Sequence, residues 1–313
     1  MKGRVTKATG IWYDVLLDSG QTISCRVKGK QRLVKRRTTN PVVIGDLVSV
    51  EKGDTEDALV IDEVLPRNNY IIRQSTRNRT AEHILAANID LAVLIATITQ
   101  PRTSTGFIDR FLCTAAAYHI PSAVVFNKID LLTDDEKDLM HEWTMMYEDA
   151  GYKVFHVCAL QPESILPLKS FLQKNISLIS GHSGVGKSTF INQLIPGLNQ
   201  KTNAVSGFHE KGLHTTTFTE MFAQPGGGHI IDMPGIKEFG MLDFDLQEVS
   251  HFFPEMASII HDCRFNNCLH INEPGCAVKQ AVEEGKIHLR RYENYLSIIG
   301  ELQTDEKVYD SDK

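Results

Sequence analysis

Nine residues at 181–189, "GHSGVGKST", set Gly181, Gly186, Lys187 and Ser188 at the spacing G-x-x-x-x-G-K-[ST]. Glycines so placed let backbone N–H groups close around phosphate oxygens, and a helix starting at the lysine points its positive end at them. Lys187 would then reach the β/γ-phosphates and Ser188 would ligate Mg²⁺, with His182, Ser183, Gly184, Val185 and Thr189 completing the loop. Well before it, "NKID" at 127–130 closes an apolar run. Guanine presents two adjacent N–H donors that one carboxylate, Asp130, accepts together, whereas adenine would oppose that carboxylate with a lone pair. Asn127 suits the other edge of the base and the Lys128 stem can lie along its ring, with Ile129 between Lys128 and Asp130. "CAL" at 158–160 ends another apolar run, where Cys158 precedes an Ala159 N–H suited to the guanine oxygen.

Two further stretches fit the same chemistry. In "DMPG" (232–235), Asp232 would hold Mg²⁺ through water and the Gly235 N–H would meet the γ-phosphate. "GLHTTTF" (212–218) lies between the phosphate loop and that strand, and Thr215 or Thr216 would complete the Mg²⁺ shell when GTP is bound. Ile236 follows Gly235, and its side chain has no group to orient an attacking water. Slow intrinsic turnover that a partner accelerates is therefore expected. His214 is the side chain available for water positioning, so Lys187 and His214 are the catalytic candidates. The order base loop, "CAL", phosphate loop, threonines, "DMPG" is a rotation of the usual one. A doubly wound sheet tolerates such a cut, because domain termini often lie close together.

Six cysteines are present, and Cys25, Cys113 and Cys158 are scattered. Cys263, Cys268, His270 and Cys276 cluster instead. Three thiolates and an imidazole make a closed tetrahedral Zn²⁺ set with no position left for water, which means a structural metal; buried free thiols are the other reading. Lys279, Lys286, Arg290 and Arg291 nearby are either RNA contacts or a solvated helix face.

The surrounding sequence must position these groups. The chain has 313 residues and a net charge of −6, unevenly spread: residues 1–70 carry +3 and the rest −9. Lys28, Lys30, Arg32, Lys35, Arg36 and Arg37 form a dense, unopposed run suited to a phosphate backbone, though most such runs are solvated loops. Closely spaced strands in "YDVLLDSG", "QTISCRVKG", "GDLVSVEKG" and "ALVIDEVLP" predict a small barrel, of which an OB-fold is one option. From about 85 onward, apolar runs such as 89–97 and 122–130 alternate with helical stretches, predicting a parallel, doubly wound α/β sheet. Beyond 243 a mainly helical region is expected, with a long polar helix around 286–302 and a frayed tail. The expected domains are 1–68, 69–243 and 244–313. No run is long enough to span a bilayer, and a soluble, cytoplasmic monomer is expected.

Taken together, "NKID", "GHSGVGKST", "KGLHTTT", "DMPG" and C-x4-C-x-H-x5-C behind a basic barrel resemble the circularly permuted GTPases, and within them the RsgA family. The likeness spans nearly the whole chain, and the Cys/His element is its most discriminating part. It implies an OB-fold RNA-binding barrel, a permuted P-loop GTPase domain using GTP/GDP with Mg²⁺, and a helical domain holding one structural Zn²⁺. It also implies binding to the small ribosomal subunit and its rRNA late in maturation, with GTP hydrolysis there. "CAL" stands where "SAL" is commoner, and "DMPG" where "DTPG" is; neither change removes a ligand. Two alternatives stand beside this. One is an rRNA-docking factor that holds GTP as a structural ligand; the other is a large-subunit assembly GTPase of the permuted group, against which the barrel-plus-zinc arrangement counts.

Overall fold

Five short strands near the N-terminus close on themselves. They are β1 (Lys2–Thr9), β2 (Trp12–Leu17), β3 (Thr22–Val27), β4 (Leu47–Lys52) and β5 (Leu59–Val64), paired in the order β1-β2-β3-β5-β4, with β4 returning to β1. Alternation puts Val5, Val15, Cys25, Val48, Val50 and Ile61 inside, where they form the barrel core. This computed structural model describes residues 1–28, 41–53, 59–74, 82–198, 219–233 and 244–311. Strand β1 was not expected from sequence, because its basic residues hide the alternation of the two buried positions, Gly3 and Val5.

After the barrel, Arg67 donates to both carboxylate oxygens of the fully buried Asp46, at 2.6 and 2.8 Å, and Asp46 also accepts from the Val43 N–H at 2.8 Å. This fork holds the exit segment against the barrel wall. A hairpin follows, β6 (Tyr70–Gln74) with β7 (Glu82–Ala87).

The α/β region then runs β8 (Leu91–Ala96), α1 (Thr105–Ala117), β9 (Ser122–Phe126), α2 (Asp134–Asp149), β10 (Lys153–His156), α3 (Pro162–Leu172), β11 (Ile176–Gly181), α4 (Lys187–Leu194), β12 (Glu220–Ala223) and β13 (His229–Asp232). Strands β10, β9, β8, β11 and β13 are parallel neighbours in that order, and β12 adds an antiparallel strand beyond β13. Every residue of β8 and β11 is buried, as two covered faces require. Thr133 and Glu136 close a reciprocal cap at the start of α2, whose Trp143, Met146 and Tyr147 fill one face of the sheet. Strand β1 also pairs with β12 through Lys7 and Glu220, whose side chains meet at 2.9 Å, so barrel and α/β sheet form one eleven-stranded sheet.

The third region holds α5 (Pro254–Ala257), α6 (Ala277–Glu283) and α7 (Leu289–Ser311), around a core of Val249, Phe253, Met256, Val278, Tyr295, Ile298 and Ile299. Helix α7 continues to Ser311, into the tail that the sequence reading marks as frayed. Among the described residues no helix is long and apolar enough to cross a membrane.

Candidate active site

The carboxyl ends of β9, β8, β11 and β13 lie side by side, so the loops leaving them converge along one rim, where ligands bind in open α/β sheets. At the centre is Asn127, 2 % exposed, just after β9. Its Nδ2 donates to the Val185 carbonyl at 2.7 Å and its Oδ1 accepts from the Ala159 N–H at 3.0 Å. One side chain therefore ties the base loop to "CAL" and to the phosphate loop. The sequence reading assigns Asn127 and the Ala159 N–H to the base; here they bond each other. Gly186 is held at φ +93°, and a Cβ there would lie 2.4 Å from Asn127 Nδ2, so only glycine lets the two loops approach. Gly181 is equally constrained, since a Cβ would meet the Ile95 carbonyl oxygen at 2.4 Å.

Lys187 opens α4 and donates to Asp232 Oδ1 at 2.8 Å and to the Met233 carbonyl. Both charges are largely buried, so the pair joins the start of α4 to the end of β13 within a low-dielectric floor. A phosphate arriving there would compete with Asp232 for the lysine. Ser188 and Thr189 are half-buried in the first turn of the same helix, whereas Ser183 and Gly184 are exposed and Val185 is buried. His182 stacks on Phe107 of α1 with ring centroids 3.8 Å apart, and burial lowers its pKa.

On the base side, Lys128 adopts a left-handed backbone and its Nζ donates to the Gln100 carbonyl at 2.7 Å. Burial lowers its pKa while the charge of Asp130 works the other way. Asp130 is exposed, and Ile129 packs on the core beneath it. Desolvation first, and then the neighbouring Asp130 carboxylate, raise the pKa of the buried Cys158 thiol. Sequence reasoning missed Ser164, whose hydroxyl accepts from the Cys158 N–H at 3.0 Å and lies 2.9 Å from the Cys158 carbonyl oxygen. Its signal is a serine six residues after Cys158, in the first turn of α3. It also missed Leu131 and Leu160, two large apolar side chains left exposed directly after Asp130 and Ala159. His214, Thr215, Thr216, Gly235 and Ile236 lie outside the described residues. So do Lys30, Arg32, Lys35, Arg36 and Arg37, while Lys28 pairs with Glu51 and lies 3.8 Å from Asp62.

In the third region the ligand atoms of Cys263, Cys268, His270 and Cys276 all lie within 4.8 Å of one another. His270 presents Nδ1, at 3.6 Å from Cys263 Sγ and 3.3 Å from Cys276 Sγ. Burial, together with the neighbouring thiols, pushes Cys268 up to about 12. Three facing thiols and an imidazole nitrogen suit a soft divalent cation, which would displace the thiol protons. Glu273 organises the loop, accepting from the N–H groups of Leu269, Ile271 and Asn272 at 2.9, 2.8 and 3.0 Å. Burial opposes its ionisation, but these backbone donors prevail and hold its pKa below the usual glutamate value. Their stabilisation is present above about pH 4.3 and lost as pH falls through the lower folded value. Glu273→Gln is expected to loosen the loop by about 1–3 kcal/mol and to hasten metal release to a chelator; an unchanged release rate would remove Glu273 from this role.

Arg291 corrects the sequence reading. It is neither an RNA contact nor part of a solvated face, because it is 1 % exposed. It donates to Asp109 of α1 at 2.5 Å and forks onto Glu255 at 2.7 and 3.0 Å. Arg290 is solvent-accessible, 4.0 Å from Glu142.

The rotated order of loops on a doubly wound sheet, with the candidate phosphate loop and the candidate base loop on one rim, is that of a circularly permuted P-loop GTPase. The RsgA GTPase family model matches residues 64–242, and the RsgA N-terminal domain model matches residues 2–60. The small ribosomal subunit biogenesis GTPase RsgA of Bacteroides fragilis is 48% identical over 299 residues, covering 96% of each chain. Its namesake from Christiangramia forsetii is 45% identical over 301 residues, again covering 96% of each. The crystal structure of YjeQ from Thermotoga maritima superposes with a TM-score of 0.80 at 32% identity, covering 96% of this chain and 98% of that one. YloQ, a circularly permuted GTPase, gives 0.77 at 27% identity, covering 97% and 95%. The chain belongs to the RsgA family and is a GTP hydrolase.

Proposed function

We propose that this GTPase docks on the small ribosomal subunit late in its maturation, and that the subunit stimulates hydrolysis of GTP to GDP and phosphate. One observation carries the reading: the likeness to proteins named for small-subunit biogenesis extends over 96% of both chains, barrel and Cys/His region included. Regions 1–68, 69–243 and 244–313 would serve as RNA-binding barrel, GTPase and zinc-bearing helical domain. The basic run at 28–37 would meet rRNA phosphates.

Ser188, Asp232 and either Thr215 or Thr216 would hold Mg²⁺, and Cys263, Cys268, His270 and Cys276 would hold Zn²⁺. Mg²⁺ supplies charge neutralisation between the phosphates. Lys187 would hold the phosphates, Asp130 the base, and His214 the attacking water. A cytoplasmic monomer fits this role. Ile236 favours a second reading, in which GTP is a structural ligand of an rRNA-docking factor and turnover is incidental.

Hydrolysis by the purified chain alone, with small subunits, and with large subunits separates the two. Stimulation confined to small subunits, and lost in His214→Ala without loss of GTP affinity, is the expected result. Equal slow turnover in all three conditions favours the docking factor.

A further inference from the structure

Helix α1 meets the phosphate loop at its first turn and the third region along its length. Phe107 stacks on His182, the second residue of the phosphate loop, with ring centroids 3.8 Å apart and planes inclined at 30°. The Ser104 side chain accepts from the Phe107 N–H at 3.2 Å and so fixes that turn. Two residues on, fully buried Asp109 accepts from Arg291 Nη1 and from Asn294 Nδ2, both at 2.5 Å. Arg110 pairs with Glu301 at the margin. Cys113, one turn past Asp109, is part of the third region's own core. Ile108, Phe111 and Leu112 meanwhile pack on the sheet.

We propose that Phe107 is a positioning residue for the phosphate loop, and that the third region sets its position through the contacts of Arg291 and Asn294 with Asp109. The His182 backbone lies in the loop that would cradle the phosphates, so its ring needs a fixed neighbour if the loop is to be preformed. Phe107 supplies one flat face. Packed interiors transmit displacement instead of absorbing it, so a shift of α7 against α1 reaches the His182 ring. Nucleotide affinity and docking of the third region are then coupled, with equal effect in both directions. The inference rests on the reading of residues 181–189 as the phosphate loop.

The test is equilibrium titration of the full-length chain with GTP, with metal content and thermal transition recorded for every variant. Wild type that binds no GTP would overturn the reading of the loop itself. Given wild-type binding, Phe107→Leu, which keeps an apolar side chain and removes the ring, is expected to bind GTP about threefold to tenfold more weakly, and Phe107→Tyr to restore binding. Asn294→Ala removes one anchor of Asp109 while leaving Arg291 in place. It is expected to weaken binding in the same direction, and the double variant to weaken it by less than the product of the two. If Phe107→Leu does not fold, His182→Leu breaks the same stack from the loop side and is expected to weaken binding similarly. Wild-type affinity in the ring-deleted variants, or failure of Phe107→Tyr to restore it, overturns the positioning role. Full independence of the Phe107 and Asn294 effects overturns the anchoring by the third region.

Discussion

Arg291→Ala is expected to destabilise the docking of the third region by about 3–5 kcal/mol. The guanidinium is buried against two carboxylates from different parts of the chain, Asp109 on α1 and Glu255 on α5, and lies 4.6 Å from the Phe253 ring centre. Removing it leaves Asp109 fully buried, and desolvation, no longer offset by Arg291, would push its carboxyl further above the ordinary value. The cost arises from the orphaned carboxylate as much as from the lost bonds. Asp109→Ala added to Arg291→Ala is therefore expected to recover part of the loss. Hydrogen exchange along α7, with a denaturant titration, measures it. Unchanged protection of α7 in Arg291→Ala would show that apolar packing alone docks this region.

The second large effect is on base selection. Asp130→Asn is expected to weaken GTP binding by about 100-fold or more, because an amide N–H₂ then faces one of guanine's own N–H donors. Xanthine carries a carbonyl oxygen where guanine carries its exocyclic amine. The same variant should therefore gain affinity for the xanthine nucleotide, with ATP as the control for a general loss of discrimination. The substitution also removes the charge beside the Cys158 thiol, so Cys158→Ser, which changes that neighbour alone, serves as control. Titration with the three triphosphates decides it. GTP affinity equal to wild type would mean that another group reads the base.

Much of this architecture is visible in the sequence wherever the determinant is local. The apolar runs of β8, β9 and β11 show because both faces are buried. The phosphate loop shows because its glycines answer to short-range backbone geometry. Strand β12 does not show: four residues, one of them buried, carry too little pattern. Helix α3 hides behind Pro167, which reads as a breaker yet lies within the helix. The Cys/His cluster is legible from spacing, whereas the Glu273 knot beside it depends on three backbone N–H groups that only the folded loop turns inward. Arg291 is the plainest case. Its burial is decided by a carboxylate 182 residues away in sequence, so composition around it points to solvent. Asn127 is intermediate: its importance shows, but its partners do not.

The seam between Lys7 and Glu220 also bears on how the chain behaves among its neighbours. A sheet edge is a row of unpaired N–H and C=O groups that a second chain can extend. Pairing of Glu220 with Lys7 covers the start of the β12 edge, and the barrel covers its own by closure. At the far side of the eleven-stranded sheet the edge strand β10 is only four residues long and begins on a lysine. Short length and an edge lysine are two of the devices that discourage strand-to-strand aggregation. One antiparallel contact between barrel and α/β sheet thus works against strand-to-strand self-association at that end of the sheet.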